Sequence, residues 1–358
     1  MSLTLTVDGP RWRSHLEAVA AAHPGLVPVA KGNGYGFTLG RLARRAQWLR
    51  DRGHDVTALA VGTYDELPEV ASRWDGDLLV LTPWRPWVEL PEPGLRRRVV
   101  HTVSRYADLC ELLTRDPEAR LVLEHVTSMQ RHGMTGRELW DAGGLVRGHP
   151  GAHVEGVALH LPLQHGSHLG EVNRLLVDVV AADLPARAGT TIWVSHLTDA
   201  ELAALRDTYP DFSFRPRIGT QLWLGDRDAL RVTATVLDVH EVERGDAFGY
   251  RSRTVPKSGH LLVVSGGTAH GIGLEAPTGE MSVKARAATL ARGGLDAIGF
   301  VRSPYSIDGK QRLFAEPPHM QASMLFLPHG SRVPEVGETV DVRVRYTATA
   351  FDRVVIEG

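Results

Sequence analysis

Short apolar segments alternate with amphipathic stretches from residue 26 to about residue 220. Apolar runs of roughly four to eight residues between turn signals are typical of strands buried on both faces. The strands predicted in this way are 26–31, 56–62, 77–82, 98–103, 119–126, 154–161, 190–196 and 212–218. Helical patterns lie between most of them, at 39–52, 107–114, 169–182 and 198–206. The alternation predicts an α/β fold, and eight such strands favour a closed (β/α)8 barrel of the TIM type over an open doubly wound sheet.

The pattern changes after about residue 228 to one typical of antiparallel β structure. Alternating or β-branched segments are separated there by glycine and proline turns. They lie at 232–242, 260–264, 297–301, 323–327 and 340–346, and only residues 282–290 have a helical pattern. We therefore predict two domains, a barrel of residues 1–228 and a C-terminal mostly-β domain of residues 229–358.

Composition restricts the class of function. The formal net charge of −2 predicts neither a nucleic-acid partner nor a membrane-surface partner. No apolar run is long enough to span a membrane, and no signal peptide precedes the first strand. The single cysteine, Cys110, excludes an intramolecular disulfide and favours a reducing compartment. These features predict a cytoplasmic protein.

One lysine stands at the end of the first predicted barrel strand. Lys31 follows the apolar run of residues 26–30, and the glycine-rich turn of residues 32–36 comes directly after it. Desolvation at such a position favours the neutral amine, which is the form that builds a Schiff base. A lysine at a strand end also extends to solvent in a purely structural role. This segment alone leaves both interpretations open.

The other strand ends supply a basic and hydroxyl-rich set of side chains. In a barrel of this kind the ends of several strands, with the loops that follow them, form one site. The residues that these ends deliver are Arg131, His160, Ser195, His196, Thr198, Arg217, Gly219 and Thr220. Together with an amine they suit an anionic, phosphate-bearing cofactor. Its phosphate would bind backbone N–H groups at Gly219–Thr220 or at the helix that begins at Thr198.

Four segments resemble the alanine racemase family of pyridoxal-phosphate enzymes. Residues 31–36, K-G-N-G-Y-G, are similar to the family signature K-A-N-A-Y-G. Residues 154–160 resemble its strand v-E-G-l-x-T-H, and residues 215–219 resemble its segment v-R-p-G. In the second domain, Asp308-Gly309-Lys310 and Met320 match the pattern N-G-K…M-D. The resemblance covers nearly the whole chain and implies a pyridoxal-phosphate-dependent amino-acid racemase.

The resemblance also implies a role for each matching residue. Lys31 would hold pyridoxal 5′-phosphate covalently, and Tyr35 would reach its phosphate. His160 would lie against the pyridine ring and Arg217 would face the pyridine nitrogen, which an arginine keeps unprotonated. Arg131 would contact the phenolic oxygen of the cofactor or the substrate carboxylate, and Met320 would lie at the substrate. Glu124 occupies the position of a family lysine, often carbamylated, that steadies this arginine.

One departure concerns the second catalytic base. Where the family has the tyrosine of G-Y-A-D-G, this chain has Thr268 in residues 267–271. Racemisation with two bases needs an acid and a base on opposite faces of the α-carbon, and a threonine hydroxyl does not titrate in the useful range. His270 is a candidate replacement for this tyrosine. The sequence equally permits a purely structural role for His270 in a turn. Tyr250 and Tyr305 remain as further candidates if the alignment is displaced.

Two other functions stay open. Residues 317–321, P-P-H-M-Q, faintly resemble the P-N-H-x-C segment of metal-assisted D-threonine aldolases and D-serine dehydratases, which share the architecture. Gln321 is a poor metal ligand, and His165 and His168 lack a recognised ligand spacing, so no metal is predicted. A non-catalytic pyridoxal-phosphate carrier is the other alternative, although such carriers lack a second domain.

The resemblance finally implies partners. The expected substrate is a small amino acid whose side chain the sequence does not identify. The expected assembly is a head-to-tail homodimer with shared active sites, in which residues 267–271 and 317–321 lie near Lys31 of the other subunit.

Overall fold

The computed structural model describes residues 2–163, 166–185, 191–273 and 301–358. The chain divides into two compact units. One comprises Ser14–Gly34 and Thr38–Gly225, and the other comprises Met1–Arg13, Tyr35–Phe37 and Asp226–Gly358. The predicted domain boundary after residue 228 remains a prediction. The predicted helix at 282–290, residues 297–300 of a predicted strand, and His165 lie outside the described residues.

Eight parallel strands of the first unit form a single closed sheet. The chain begins with β1 (Leu3–Asp8), which belongs to the second unit. The strands of the closed sheet are β2 (Val27–Pro28), β3 (Ala58–Val61), β4 (Asp77–Val80), β5 (Val99–Val103), β6 (Arg120–His125), β7 (His153–His160), β8 (Thr191–Ser195) and β9 (Ser213–Ile218). They pair in the order β2-β9-β8-β7-β6-β5-β4-β3, and a parallel bridge between Val29 and Ala60 joins the two ends. The predicted (β/α)8 barrel is thereby confirmed.

Helices follow most of these strands. They are α1 (Gly9–Ala22), α2 (Leu39–Asp51), α3 (Leu67–Ala71), α4 (Pro93–Arg96), α5 (Tyr106–Arg115), α6 (Gly136–Arg147), α7 (Leu169–Ala181), α8 (Asp199–Thr208) and α9 (Thr220–Leu224). In α5, for example, Leu109, Leu112 and Leu113 are buried on one face. A stripe of this kind stabilises a helix through packing more than through its intrinsic propensity. Among the described residues, no helix is long and apolar enough to cross a membrane.

The barrel interior is filled by small and aliphatic side chains from alternate strand positions. One buried cluster contains Val27, Val29, Ala58, Ala60, Leu79, Val100, Val122, Ala158 and Trp193. Side chains two residues further along a strand point to the same face. The next inward positions are therefore Lys31 after Val29, Glu124 after Val122, His160 after Ala158 and Ser195 after Trp193. The period of two thus brings the sequence-predicted polar residues to one end of the barrel.

The second unit is mostly antiparallel β structure, as predicted. Its further strands are β10 (Leu230–Val242), β11 (Ala247–Phe248), β12 (Arg253–Thr254), β13 (Gly259–Ser265), β14 (Arg302–Ile307), β15 (Lys310–Phe314), β16 (Ala322–Pro328), β17 (Thr339–Val342) and β18 (Arg353–Glu357). Strand β13 pairs with both β10 and β16, so the order β13-β16-β15-β14-β17-β10 closes on itself. Strand β1 pairs with β10 and β18 in this sheet.

Candidate active site

Lys31 lies where strand β2 gives way to the following loop. Its side chain is accessible at the end of the barrel. The carboxylate of Glu66 holds the surrounding backbone, since Oε1 accepts the Gly32 N–H at 2.8 Å and Oε2 accepts the Gly62 N–H at 2.6 Å. Glu66 therefore ties the loop after Lys31 to the loop after β3. Sequence reasoning missed this residue, because Thr63 and Glu66 form a capping box that by itself indicates only a helix start.

The environment of Lys31 favours its neutral amine. Desolvation lowers the pKa of Lys31, and the positive charges of Arg131 and Arg217 lower it further. The negative charge of Glu66 acts in the opposite direction and is the smallest of these influences. Desolvation by the surrounding barrel is thus the largest influence on the pKa of Lys31, although the side chain remains accessible to solvent. This protonation behaviour is what a Schiff-base lysine requires.

Arg217 and His160 lie on neighbouring inward positions of the barrel. Arg217 is buried, and its guanidinium donates to the Leu159 carbonyl at 3.2 Å. Burial lowers the pKa of Arg217 to about 10, which leaves it cationic at neutral pH. His160 Nδ1 lies 2.8 Å from the Ser195 hydroxyl. Burial, followed by the charges of Arg217 and Arg131, lowers the pKa of His160 to about 3, so its imidazole is neutral.

Two buried polar atoms of the site have no hydrogen-bond partner within the described part of the chain. They are Nε of Arg217 and Oε2 of Glu124. Glu124 is buried, and desolvation raises its pKa against the opposing influence of Arg217, Arg131 and Arg85. Burying such atoms unpaired is costly, so both atoms are available to pair with a polar group of a ligand or with a water. The amine, the cationic guanidinium and the neutral imidazole fit pyridoxal 5′-phosphate.

Arg131 belongs to the loop after β6 and is exposed. The loop is anchored by Thr127, whose hydroxyl donates to the His160 carbonyl at 2.6 Å. Gln130, the residue before Arg131, has a φ of 52°. A left-handed non-glycine residue is uncommon and is often found at functional sites. Arg131 is thus presented on a loop tied to the strand that carries His160.

A second histidine, His196, lies next to His160. The centroids of the two rings are 5.1 Å apart, and His196 Nδ1 lies 2.6 Å from the Leu161 carbonyl. His196 has a φ of 63°, a conformation that costs free energy for a side chain with a Cβ. Desolvation lowers its pKa, although the hydrogen bond to Leu161 opposes this. Its backbone conformation and its contact with His160 became evident only from the structure.

The residues predicted to bind a phosphate differ in position and in the hydrogen bonds that they already make. Thr198 caps α8, and its hydroxyl accepts the Glu201 N–H at 3.2 Å and donates to Oε2 of Glu201 at 2.9 Å. The carboxylate of Glu201 therefore already occupies this helix start. Gly219 and Thr220 lie at the start of α9, directly after β9. The contacts of all three residues with a phosphate remain predictions.

Tyr35 belongs to the compact unit that also contains residues 226–358. It is buried and has a φ of 55° within the short 3-10 turn Gly34–Gly36. Its neighbour Phe37 stacks on Trp12 with ring centroids 4.7 Å apart. The lysine motif is therefore divided between the two units after Gly34. The predicted contact of Tyr35 with a phosphate is not tested by these features.

The candidates for the second base lie in the C-terminal unit and have different surroundings. Thr268 is exposed, and its N–H donates to the His319 carbonyl at 2.8 Å. His270 is buried, since Nδ1 accepts the Gly267 N–H at 3.2 Å and Nε2 lies 3.0 Å from Asp352. Both nitrogens of His270 are thus used inside its own unit. Its predicted catalytic role remains a prediction.

Three more residues of this unit were singled out from the sequence. Met320 is exposed and follows His319. Tyr305 is fully buried; its hydroxyl donates to the Gly266 carbonyl at 2.8 Å, and burial raises its pKa. Tyr250 is 86% exposed. Of the two tyrosines, only Tyr250 is accessible to a substrate.

The metal-assisted alternative finds no support in the part of the chain that the structure describes. Those residues contain no group of three or more histidine, cysteine, aspartate or glutamate side chains that could hold a metal ion. His168 is buried, and its N–H donates to Oε1 of Glu201 at 2.5 Å.

Comparisons with known proteins agree with this architecture. The model of the alanine racemase N-terminal domain matches residues 7–201. No curated protein matches the chain. Among solved structures, the chain is similar to alanine racemase from Bartonella henselae with covalently bound pyridoxal phosphate (14% identity, TM-score 0.71, 100% of both chains) and to alanine racemase from E. faecalis (19% identity, TM-score 0.68, 99% of this chain and 98% of that one). It is also similar to histidine racemase from Leuconostoc mesenteroides subsp. sake (15% identity, TM-score 0.67, 99% and 98%).

The fold shows the structural class of the protein, and the matched residues show its family. A parallel barrel followed by a mostly-β domain is the architecture of these racemases. The family model matches more than half of the chain, and the chain therefore belongs to the alanine racemase family. The identities of 14–19% with the solved structures make it a divergent member.

Proposed function

We propose that this protein is a pyridoxal-phosphate-dependent amino-acid racemase that works as a head-to-tail homodimer. The observation that carries the proposal is Lys31, an amine with a lowered pKa beside a buried arginine that has an unpaired nitrogen. In a family that includes alanine and histidine racemases, this donor set is suited to the same cofactor.

Lys31, Arg217 and His160 would hold the cofactor. Bound there, pyridoxal phosphate stabilises the negative charge that develops at the α-carbon of an amino acid. Arg217 keeps its proton at neutral pH, so it would leave the pyridine nitrogen unprotonated. The cofactor would then withdraw less charge from the α-carbon, which limits side reactions. His160, neutral and hydrogen-bonded to Ser195, would support the ring without moving a proton.

Lys31 Nζ would move a proton on one face of the α-carbon. Arg131, exposed on the loop that Thr127 anchors, would bind and orient the substrate carboxylate. The buried carboxylate of Glu124 would balance the charges of Arg217 and Arg131 from inside the barrel. An acid–base group on the opposite face is still required.

The first test is the covalent attachment of the cofactor. The purified protein incubated with pyridoxal phosphate should develop the visible absorption band of a lysine-bound cofactor. Lys31→Ala should abolish this band, because it removes the amine. Lys257→Ala is the matched control, since Lys257 is exposed and distant in sequence from the motif. A band that persists in Lys31→Ala would show that the cofactor binds elsewhere.

The second test is the reaction itself. Solvent deuterium should enter the α-position of L-alanine or L-histidine and of their D-enantiomers, and each enantiomer should convert to the other. Cofactor binding without α-exchange would favour a carrier protein. Cleavage or elimination of D-hydroxyamino acids that depends on an added divalent metal would favour the aldolase or dehydratase alternative.

A further inference from the structure

A hydrogen-bonded histidine–carboxylate pair lies beside Thr268 in the C-terminal unit. Nε2 of His319 is 2.6 Å from Oε1 of Glu316. We propose that His319 is the second acid–base residue and that Glu316 positions it. The inference rests on the function and the dimer proposed above, because His319 would act on a substrate held by Lys31 of the other subunit.

Burial distinguishes this pair from the other histidine–carboxylate pairs. The carboxylate of Glu316 is 5% exposed and the imidazole of His319 is 30% exposed. The pairs His23–Asp199, His125–Asp178 and His270–Asp352 have the reverse arrangement, a buried imidazole and a more accessible carboxylate. A buried carboxylate that orients an accessible imidazole is the arrangement used in acid–base catalysis. Among the described residues, only the pair of His319 has it.

Glu316 is fixed from two directions. Its Oε2 accepts the Tyr250 N–H at 3.2 Å, while Oε1 holds His319. Gly249 has a φ of 69°, and a Cβ at this position would collide with the carboxylate of Glu316. The close approach of this glycine therefore encloses the carboxylate. The proton of the His319–Glu316 hydrogen bond is then carried by Nε2, which leaves Nδ1 for exchange.

The free nitrogen of His319 is available for proton transfer. Among the described residues, Nδ1 has no hydrogen-bond partner, and the ring lies 4.7 Å from that of Tyr250. The imidazole contacts the Glu316 carboxylate through Nε2 and the Tyr250 ring through its face. An imidazole serves as a general acid or base in catalysis. A threonine hydroxyl such as that of Thr268 does not.

The backbone of His319 forms one rigid piece with the segment that replaces the family tyrosine. The His319 N–H donates to the Ala322 carbonyl at 2.9 Å, and the His319 carbonyl accepts the Thr268 N–H at 2.8 Å. A Cβ at Gly267 would collide with that carbonyl, so the two segments are in direct contact. Wherever Thr268 lies in the dimer, His319 lies next to it.

The proposed step is balanced for protons. In one direction Nδ1 of His319 accepts the α-proton, and the ammonium of Lys31 gives a proton to the opposite face. In the other direction Lys31 accepts the α-proton and the imidazolium of His319 gives one. One proton leaves the α-carbon and one is added in each turnover. Exchange with solvent returns both groups to their starting states.

The test follows α-deuterium exchange of L-alanine and D-alanine, and of L-histidine and D-histidine, separately. In His319→Gln, one enantiomer should keep its exchange through Lys31, while exchange of the other and racemisation should fall by about 10²–10⁴-fold. His240→Gln is the matched control, since His240 is an exposed imidazole of the same unit that pairs with Asp238. Imidazole added to His319→Ala should restore part of the racemisation.

Glu316 needs a measurement that does not depend on cofactor or activity. Nuclear magnetic resonance of the ring nitrogens in the cofactor-free protein should find the proton of His319 on Nε2. In Glu316→Gln this preference should weaken, and racemisation should fall with little change in KM. Tyr250→Phe tests the phenol separately, because it removes the hydroxyl and keeps the ring and the backbone N–H that Glu316 accepts.

The outcomes separate the two proposals. A wild-type protein that binds the cofactor but exchanges the α-proton of neither enantiomer overturns the proposed function and this inference with it. Full racemisation and equal exchange of both enantiomers in His319→Gln overturns this inference alone. Loss of racemisation in Tyr250→Phe with an active His319→Gln would assign the role to Tyr250 instead.

Discussion

Two arginines and one carboxylate act on the amine of Lys31 in addition to its desolvation. Arg131 and Arg217 lower the pKa of Lys31, and Glu66 raises it. Desolvation, followed by the same positive charges, lowers the pKa of His160 and keeps its imidazole neutral. In the proposed function, a single cluster would thus prepare Lys31 to react with a carbonyl and hold His160 out of proton transfer.

The contribution of Arg131 can be measured at the single residue. Arg131→Gln removes a positive charge, so the pKa of Lys31 should rise and its neutral fraction at neutral pH should fall. The rate at which an uncharged acylating reagent modifies Lys31 should then reach half its maximum at a higher pH than in the wild type, where the midpoint lies below the ordinary lysine value of 10.5. Mass spectrometry of the labelled peptide reports this rate.

Arg137→Gln is the control for that titration. Arg137 is an exposed arginine on α6 and is not among the groups that act on Lys31. It should leave the midpoint unchanged. A midpoint that stays the same in Arg131→Gln would mean that desolvation alone lowers the pKa of Lys31.

At the scale of elements, two helices of the barrel begin in the same way. Thr135 with Glu138 caps α6, and Thr198 with Glu201 caps α8. Each box satisfies N–H groups that a helix start would otherwise leave unpaired. In α8 the box places a carboxylate at the helix start where the sequence predicts a phosphate. Like charges at one helix start oppose each other, so the two roles compete.

Glu201→Gln should therefore strengthen binding of pyridoxal phosphate. It removes a negative charge from the helix start, while a glutamine still completes the capping box. The expected gain in affinity is roughly two- to fivefold, from the usual size of charge effects at a helix terminus. Fluorescence titration measures it. Unchanged affinity would mean that the phosphate lies away from α8.

Thr198→Ala completes this test, with Thr135→Ala as its matched control. Both should lower the free energy of unfolding by about 1 kcal/mol, since each removes a capping hydroxyl. The predicted phosphate contact of Thr198 requires that only Thr198→Ala also weakens cofactor binding. Equal affinities in the two variants would leave Thr198 as a helix cap alone.

The strands of the barrel were predictable because most are short and largely apolar runs, although β9 carries two arginines. The predicted strands 77–82 and 119–126 agree with the observed β4 and β6 to within two residues at each end. Helix α1 was missed, although Trp12 and Leu16 are buried on it, because the apolar pattern is preceded by polar residues and a proline. Strand β1 was missed although residues 3–7 alternate as a strand does, and its pairing with β10 and β18, more than two hundred residues away, has no local signal.

The site was predictable only where a residue occupies a strand end. Lys31, His160 and Arg217 were found in this way, because the period of two places them on the inward face. Glu66 and Glu316 were not, since each acts through a contact that depends on tertiary structure. His319 was noticed only within a motif resemblance, and its pairing with a buried carboxylate has no signal in the sequence.

At the scale of the whole molecule, the two units carry complementary halves of the proposed chemistry. Lys31, Arg217 and His160 belong to one unit, whereas Thr268 and His319 belong to the other. The head-to-tail homodimer predicted from the resemblance would join the halves across subunits. Sedimentation should then give a mass about twice the 39.1 kDa of one chain.

Mixing two inactive variants tests whether the sites are shared. Lys31→Ala keeps His319, and His319→Gln keeps Lys31, so a mixed dimer contains one site with both residues and one site with neither. Random reassortment of equal amounts makes half of the dimers mixed, and racemisation should recover to about a quarter of the wild-type rate. Lys31→Ala mixed with Lys31→Ala,His319→Gln is the control, because no intact site can form. A mixture that stays as inactive as the control after verified exchange of subunits would show that each site is built within one chain.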